Sequence, residues 1–568
     1  MSVLSNRQIA RAAAVVVVGF LASGVLGLVR TAAFAATFGA GDALDSFYAA
    51  QRIPEILFVL VAGGALGSSF IPVFARFLTE GDEQGAWRLV SAVMSCVFVL
   101  ASLLALVTAL FAPVLVPALL EPGASAAQQA LTTSLTQVML VTVAIFGVSG
   151  LLMGILNARQ SFTLPALALS MNNIGQIFGA LVLTRLIPTF GLHYPGILPQ
   201  YAGLLARGFP SDGGAATYGL ALGAIIGALL HLLIQLPGLR RVGALEAGHR
   251  LRFLPDPRVE GVREVLVLMG PRVLGLAVVQ INFLVNVNLT SGMVPGSRSA
   301  LVTAWTLMFF VLGVIAQSVG TAVFPSLSAL AAAKDMSGFK QRLAGAMRGV
   351  LFLAFPAMIG LILLGGAGIR VLFERGLWTA EDTAATAWAL SFFALGIAGH
   401  SLLELLSRAF YALSDTRTPV LIGVASMISN IVLSLIFVHL IGNPASLSRG
   451  TFAGLALANS LATLLEGAVL WLLLRRRIGD LNDRFILTGA AQSLAAALGM
   501  GAFLWAFSRF APEAGTFVMT VLGVALGVAV FFGLALALDR RGAHRPAHLL
   551  RRRWGRQHSR RWIFDNVC

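Results

Sequence analysis

Charge is scarce in this chain: Asp, Glu, Lys and Arg make up 11% of its 568 residues. Hydrophobic residues reach 58% and the mean hydropathy is +0.87, so a water-soluble protein of this composition would lack the polar surface to stay wetted. Polar stretches are short as well. Nothing between the apolar runs from Ala12 to Leu538 is long enough for a separate globular domain, which excludes the three or four soluble domains that the length alone would suggest. With two cysteines, Cys96 and Cys568, there is neither a disulfide framework nor a four-cysteine zinc site. A Walker phosphate loop is missing too, which removes nucleotide hydrolysis by that route. What the chain does have is glycine, 60 residues of it, suited to transmembrane helices whose backbones approach closely.

The formal charge of +16 comes from arginines placed mostly in short segments between apolar runs. The uncharged run from Ala12 to Val29 is long enough to span a bilayer and has no small-residue cleavage pattern after it, so it reads as a first helix rather than a removed signal. Fourteen spans are expected, at about 12–38, 45–75, 89–117, 128–156, 163–187, 217–239, 264–290, 299–329, 343–368, 384–413, 418–441, 452–474, 486–508 and 515–538. An even count puts both termini on one side. With that side cytoplasmic, 30 of the 40 basic residues fall on inside segments and the span ends beside them, as the positive-inside rule requires. The segment from Pro188 to Ala216, with four prolines and six glycines, is expected outside as an ordered loop or short hairpin.

The chain repeats itself. Pro72 and Pro325 sit in similar contexts 253 residues apart, while Pro165 and Pro419 open the fifth and eleventh spans 254 apart. Leu186-Ile187 and Leu440-Ile441 close those spans at the same offset. Val25-Leu26-Gly27-Leu28 recurs at Val273 to Leu276, and Gly219 to Leu222 recurs at Gly454 to Leu457. Six spans are therefore duplicated in the same orientation, and such paired bundles commonly enclose a site open to alternate sides. The expected fold is an all-α polytopic membrane protein. Its parts are an N-terminal lobe over 1–240, a basic cytoplasmic linker over 241–263, a C-terminal lobe over 264–478, two further helices over 479–538 and a basic tail over 539–568.

Specific residues carry a family resemblance. Phe38-Gly39, Asp45 with Phe47, Arg52-Ile53-Pro54, Gly64-Ala65 and Phe70-Ile71-Pro72-Val73-Phe74 belong to it. So do Leu156-Asn157-Ala158 with Phe162, Pro165-Ala166, Arg408, Phe410-Tyr411-Ala412, Asp415-Thr416 and Thr418-Pro419. Together they resemble the MurJ (MviN) family of the multidrug/oligosaccharidyl-lipid/polysaccharide exporter superfamily. The resemblance implies a flippase that moves lipid II, the undecaprenyl-diphosphate-linked cell-wall precursor, across the bacterial cytoplasmic membrane. It implies no enzymatic step and no nucleic-acid partner. This chain departs from the family pattern where the family carries charge: Gly24 and Phe58 replace arginines, Gly63 an acidic residue, and Trp305-Thr306 with Phe309 replace an Asp-Arg pair and a Glu. Those losses keep open a divergent paralogue that moves another undecaprenyl-linked saccharide, or one without transport.

Ionisable residues at bilayer depth mark the candidate substrate site. Arg30 shares a helix face with Ser23, Gly27 and Phe34; Asp45 and Arg52 are seven apart, with Pro54 and Glu55 just beyond; Arg272 follows Pro271. Arginine suits a diphosphate because its planar fork donates two parallel hydrogen bonds. For Arg30 an interfacial, snorkelling position competes with a cavity role, and for Asp45 a pair with Arg52 or a helix cap competes with substrate contact. Ser426 and Asn430, with Asn459 and Thr463, are oxygen donors that suit a cation such as Na+, against the plainer reading of inter-helical hydrogen bonding. Drive by the membrane potential needs no ion site or other cofactor. His231 and His400 stand alone in their spans and read as packed side chains. A membrane glycosyltransferase would need acids at an aqueous mouth, and no spacing links Asp45, Glu55, Glu374, Glu381 and Asp382 to a known reaction. The tail from Asp539 to Cys568 holds nine arginines against two aspartates, interrupted by Trp554, Trp562, Ile563 and Phe564, a composition suited to anionic lipid at the membrane surface. The topology has a direct test: an impermeant thiol reagent added outside cells should label a cysteine engineered in the 188–216 segment and miss one in the 240–263 segment.

Overall fold

The computed structural model describes residues 6–61, 64–189, 213–242, 252–510 and 516–543. All regular structure among them is helical. The first half holds α1 (Asn6–Phe38), α2 (Asp42–Ala50), α3 (Arg52–Val61), α4 (Gly64–Thr79), α5 (Glu83–Leu115), α6 (Ala126–Met139), α7 (Val141–Ala158), α8 (Thr163–Phe178), α9 (Thr184–Thr189), α10 (Gly213–Leu233) and α11 (Leu236–Arg241). The second holds α12 (Val262–Thr290), α13 (Ser297–Leu312), α14 (Ser318–Ala332), α15 (Met336–Phe373), α16 (Ala380–Leu395), α17 (Ile397–Ala412), α18 (Arg417–Leu440) and α19 (Ala453–Ile478). Two more helices follow, α20 (Asp483–Phe510) and α21 (Thr516–Ala543). π-Helical turns at Val116–Leu120, Gly179–Leu183 and Gly313–Gln317 extend α5, α8 and α13. Most of the expected 188–216 loop, part of the basic linker and the tail beyond 543 lie outside the described residues.

In hydrocarbon each backbone N–H and C=O must be paired within its own segment, which is why the apolar runs are helices. Among the described residues eleven helical stretches are long and apolar enough to cross a bilayer, and α16 with α17, bent by 45° at Gly396, makes a twelfth. The other two expected spans take different forms. The run 264–290 is the unbroken α12, its apolar character diluted by Gln280, Asn282, Asn286 and Asn288. The run 45–75 is not one helix: α2 ends at Ala50 and α3 restarts at Arg52. Pro54 explains the break, because it lacks the N–H that would bond to the Ala50 carbonyl and its ring clashes with that carbonyl.

Helices of each half pack mainly on one another; α12 is shared, lying against α3 and α4 and also against α18. Phe70, Phe74 and Trp87 are fully or almost fully buried in the first half, and Phe339, Phe373, Phe410 and Phe452 in the second. α20 and α21 lean on α15, where Ala496, Met500, Leu504 and Phe531 meet Phe352 and Phe355. The repeat extends to its turns. Asp82 and Asp335, 253 apart, cap α5 and α15, each accepting a hydrogen bond at 2.8 Å from the N–H three residues on, of Gly85 and of Gly338. Gln160 and Ser414, 254 apart, take φ of +62° and +60° before α8 and α18. In the second copy the Asp415 carboxylate accepts the Thr418 N–H at 3.0 Å and its hydroxyl at 2.8 Å and pairs with Arg477, so it titrates below the usual carboxylate range.

Gly175 and Gly179 on the α8 segment face Gly227 and Gly223 on α10, and a Cβ on Gly223 would stand 2.7 Å from the Gly179 Cα. Replacing Gly223 by Leu should push the helices apart at a cost of about 1–3 kcal/mol. Detergent-solubilised G223L should melt below the parent protein, whereas G349A, which meets nothing within 4 Å, should not.

Candidate functional site between the two halves

The halves meet at the end of the bundle away from the 242–262 linker, where a buried polar seam joins them. Asp45 of α2 points at the first turn of α13: its carboxylate accepts the Gly296 N–H at 2.9 Å, the Ser299 N–H at 2.7 Å and the Ser299 hydroxyl at 2.5 Å. A carboxylate there satisfies N–H groups that a helix start leaves unpaired and faces the positive end of the helix dipole. Gly296 permits this approach with φ of +91°, and a Cβ on it would stand 2.7 Å from the Ala40 carbonyl oxygen. Beside it Arg298, 2% exposed, spends all five of its N–H donors. They reach Glu121 Oε1 at 2.7 Å and Oε2 at 3.2 Å, the Asp45 carbonyl at 2.8 Å, the Val287 carbonyl at 3.0 Å and the Thr290 hydroxyl at 3.1 Å. Gly123 N–H to Ser291 Oγ at 3.1 Å, Leu377 N–H to the Ala36 carbonyl at 2.9 Å and Asn288 Nδ2 to the Leu119 carbonyl at 3.0 Å extend the seam.

Deeper in the bundle the charge is cationic. Arg30 on α1 stands 5.8 Å from the Phe34 ring, and its Nε is buried without a hydrogen-bond partner. Arg52, at the start of α3, lies 5.0 Å from the Phe283 ring of α12 and bonds Glu55 at 2.9 Å. Of the five expected substrate residues the structure pairs Arg52 with Glu55 and sets Arg30 against Phe34. Asp45 is engaged in the seam, not with Arg52. Arg272 lies on α12, and its side chain falls outside the described residues.

Towards the linker end the halves part around a cavity of about 340 Å³ lined by Ser23 and Gly24 of α1, Phe309 and Phe310 of α13, Gln317 and Arg408 among others. Arg408 on α17 is held by Glu404 at 2.5 Å and Thr321 at 3.1 Å. Phe310 also lines a second, almost wholly apolar groove of about 500 Å³ between α13, α15, α20 and α21. The oxygen donors proposed for a cation divide into two networks. Ser426 bonds the Ala462 carbonyl at 3.2 Å and Asn430 meets Asn282 at 3.4 Å, whereas Asn459 and Thr463 bond His400 at 3.1 and 3.5 Å. His231 is likewise packed and bonded, to Ser149 at 2.6 Å.

The chain and its fold have known counterparts. A family model described as Lipid II flippase MurJ matches residues 34–525. The chain belongs to the MurJ family. A probable lipid II flippase MurJ of Vibrio cholerae is 30% identical over 533 residues, covering 91% of this chain and 94% of its own length. The lipid II flippase MurJ of Burkholderia cenocepacia is 30% identical over 526 residues, covering 90% and 94%. A solved lipid II flippase MurJ in an inward closed conformation superposes with a TM-score of 0.72 at 24% identity, over 93% of this chain and 99% of that one. An inward-facing multidrug resistance MATE family transporter of the MOP superfamily gives 0.61 at 14% identity, over 81% and 96%. The superposition takes in nearly the whole chain, so the fold is shared along its length.

Sequence reasoning missed the Arg298–Glu121 pair. Each residue stands at the edge of an apolar run, where a charge reads as interfacial, and nothing in the sequence links positions 177 apart. The turn after Glu121 offered a weak hint, since Pro122-Gly123 follows directly, where the chain must reverse. Removing one partner of such a pair strands the other charge at about 3–5 kcal/mol. Arg298→Met should therefore loosen the seam, so that a cysteine placed at the buried Ser297 reacts with a maleimide far faster than in the parent; adding Glu121→Gln should restore most of the protection.

Proposed function

We propose that this chain is a lipid II flippase of the bacterial cytoplasmic membrane, working by alternating access and relocating its substrate without consuming it. One observation carries the reading: the cavity between the halves joins two chemistries, the Arg408 guanidinium in its lining and an apolar groove that shares Phe310 with it. A polyprenyl diphosphate sugar has the same two parts. Arg30, whose Nε is a buried donor without an acceptor, and Arg52 supply charge-assisted hydrogen bonds for the diphosphate. The groove beside α20 and α21 takes part of the polyprenyl tail, so the tail stays in an apolar environment while the head crosses. The seam opens and the linker end closes in the other half of the cycle. The membrane potential is the favoured drive, because the oxygen donors of α18 and α19 fall into separate networks while the site itself is cationic. The arginine-rich tail is assigned to anionic lipid on the cytoplasmic face.

Replacement of the essential lipid II flippase in a depletion strain tests the function: growth supports it, and lysis despite verified membrane insertion refutes it. Within that assay Arg30→Ala and Arg52→Ala should each abolish or sharply reduce transport with expression intact. Each lost contact should weaken lipid II binding by roughly 1.5–3 kcal/mol, about ten- to more than a hundredfold. Lysine at either position should rescue only partly, since it restores charge without the bidentate fork.

A further inference from the structure

An aromatic cluster runs on from Arg52. Trp305 of α13 stacks on Phe309 one turn on, with ring centroids 5.9 Å apart and planes at 26°. Phe283 of α12 meets Trp305 edge-on at 6.2 Å, and this is the ring over which Arg52 lies at 5.0 Å. From behind, Phe393 of α16 and His400 of α17 close on Trp305 edge-on at 5.3 and 5.9 Å, and His400 is itself fixed by Asn459 at 3.1 Å. The indole is therefore locked in place from three helices, while Phe309 remains 46% exposed. Phe309 lines the cavity between the halves together with Ser23, Gln317, Thr321 and Arg408. A phenyl ring held open in a partly polar cavity is costly unless something covers it.

We propose that Trp305 and Phe309, buttressed by Phe283, form a stacking shelf for the saccharide of the transported lipid, while Arg30 and Arg52 hold its diphosphate. This inference rests on the flippase reading and adds the part of the substrate that reading leaves unassigned. The less polar face of a pyranose presents C–H groups of partial positive charge, which complement the negative face of an aromatic ring. The exposed ring of Phe309, stacked on the packed indole of Trp305, offers that face at little further entropy cost. The run Arg52, Phe283, Trp305, Phe309 places a cation at one end of the shelf and open rings at the other, matching the order diphosphate then sugar. Recognition on this wall depends on ring faces instead of ion pairs, so it selects for the sugar rather than for charge.

The test compares two probes on the full-length protein in lipid nanodiscs: undecaprenyl diphosphate, which has no sugar, and lipid II. Trp305→Ala should weaken lipid II binding about tenfold and leave undecaprenyl diphosphate within about twofold, with Trp305→Tyr close to the parent. Arg52→Ala should weaken both probes together. Equal loss of both probes in Trp305→Ala, or unchanged lipid II affinity, would overturn the shelf and make the cluster ordinary packing. Should Trp305→Ala fail to fold, Phe309→Ala on the exposed ring carries the same comparison, with a smaller selective loss expected and an unselective or absent one overturning the assignment. If the parent protein binds neither lipid, the flippase reading itself fails, an outcome distinct from loss of selectivity.

Discussion

A guanidinium with no access to water holds the two halves of this protein together at one end. Arg298 is tolerable there only because each of its five N–H groups has an acceptor, two of them on Glu121, and because Asp45 meets the start of α13 beside it. The acceptors on Glu121 and Asp45 come from the other half of the molecule, so the buried charge is satisfied only while the halves are docked. Parting them exposes a charged pair and a helix start to water, where both are readily solvated. A seam built of desolvated polar groups can therefore exist in two well-defined arrangements, whereas an apolar seam of equal area would favour one.

The site inherits its position from that closure. The halves are joined at that end, and residues of α1 and α13 line the cavity between them. The break at Pro54 matters in the same way. It divides α2, which carries Asp45 to the seam, from α3, which turns Arg52 towards Phe283. Two residues seven apart thus end in different environments, although an unbroken helix would have placed them on one face.

Duplication has produced similar frames with different linings. The paired aspartate caps at Asp82 and Asp335 and the matched turns at Gln160 and Ser414 show how closely the backbones agree. The linings differ: α1 and α3 carry Arg30 and Arg52, whereas α12 and α13 carry Phe283, Trp305 and Phe309, with Arg408 on α17. A lipid-linked sugar is itself asymmetric, anionic at the diphosphate and weakly polar at the ring, and an asymmetric pair of walls suits it.

Much of this was legible in the sequence. Apolar length sets the helices because the bilayer leaves backbone groups no other partner, and the 253- and 254-residue offsets announce two copies because equal turns need equal residues. Arg30, Arg52 and Glu55 stood out in the sequence as candidates because charge at bilayer depth demands a cavity or a partner. Only the tertiary structure decided which partner. It took Asp45 from Arg52 and gave it to Gly296 and Ser299, some 250 residues away. It paired Arg298 with Glu121, and it separated Ser426 and Asn430 from Asn459 and Thr463. The physical reason is common to all three: helical periodicity fixes which residues share a face, but which faces meet depends on packing between segments that the sequence leaves free to choose.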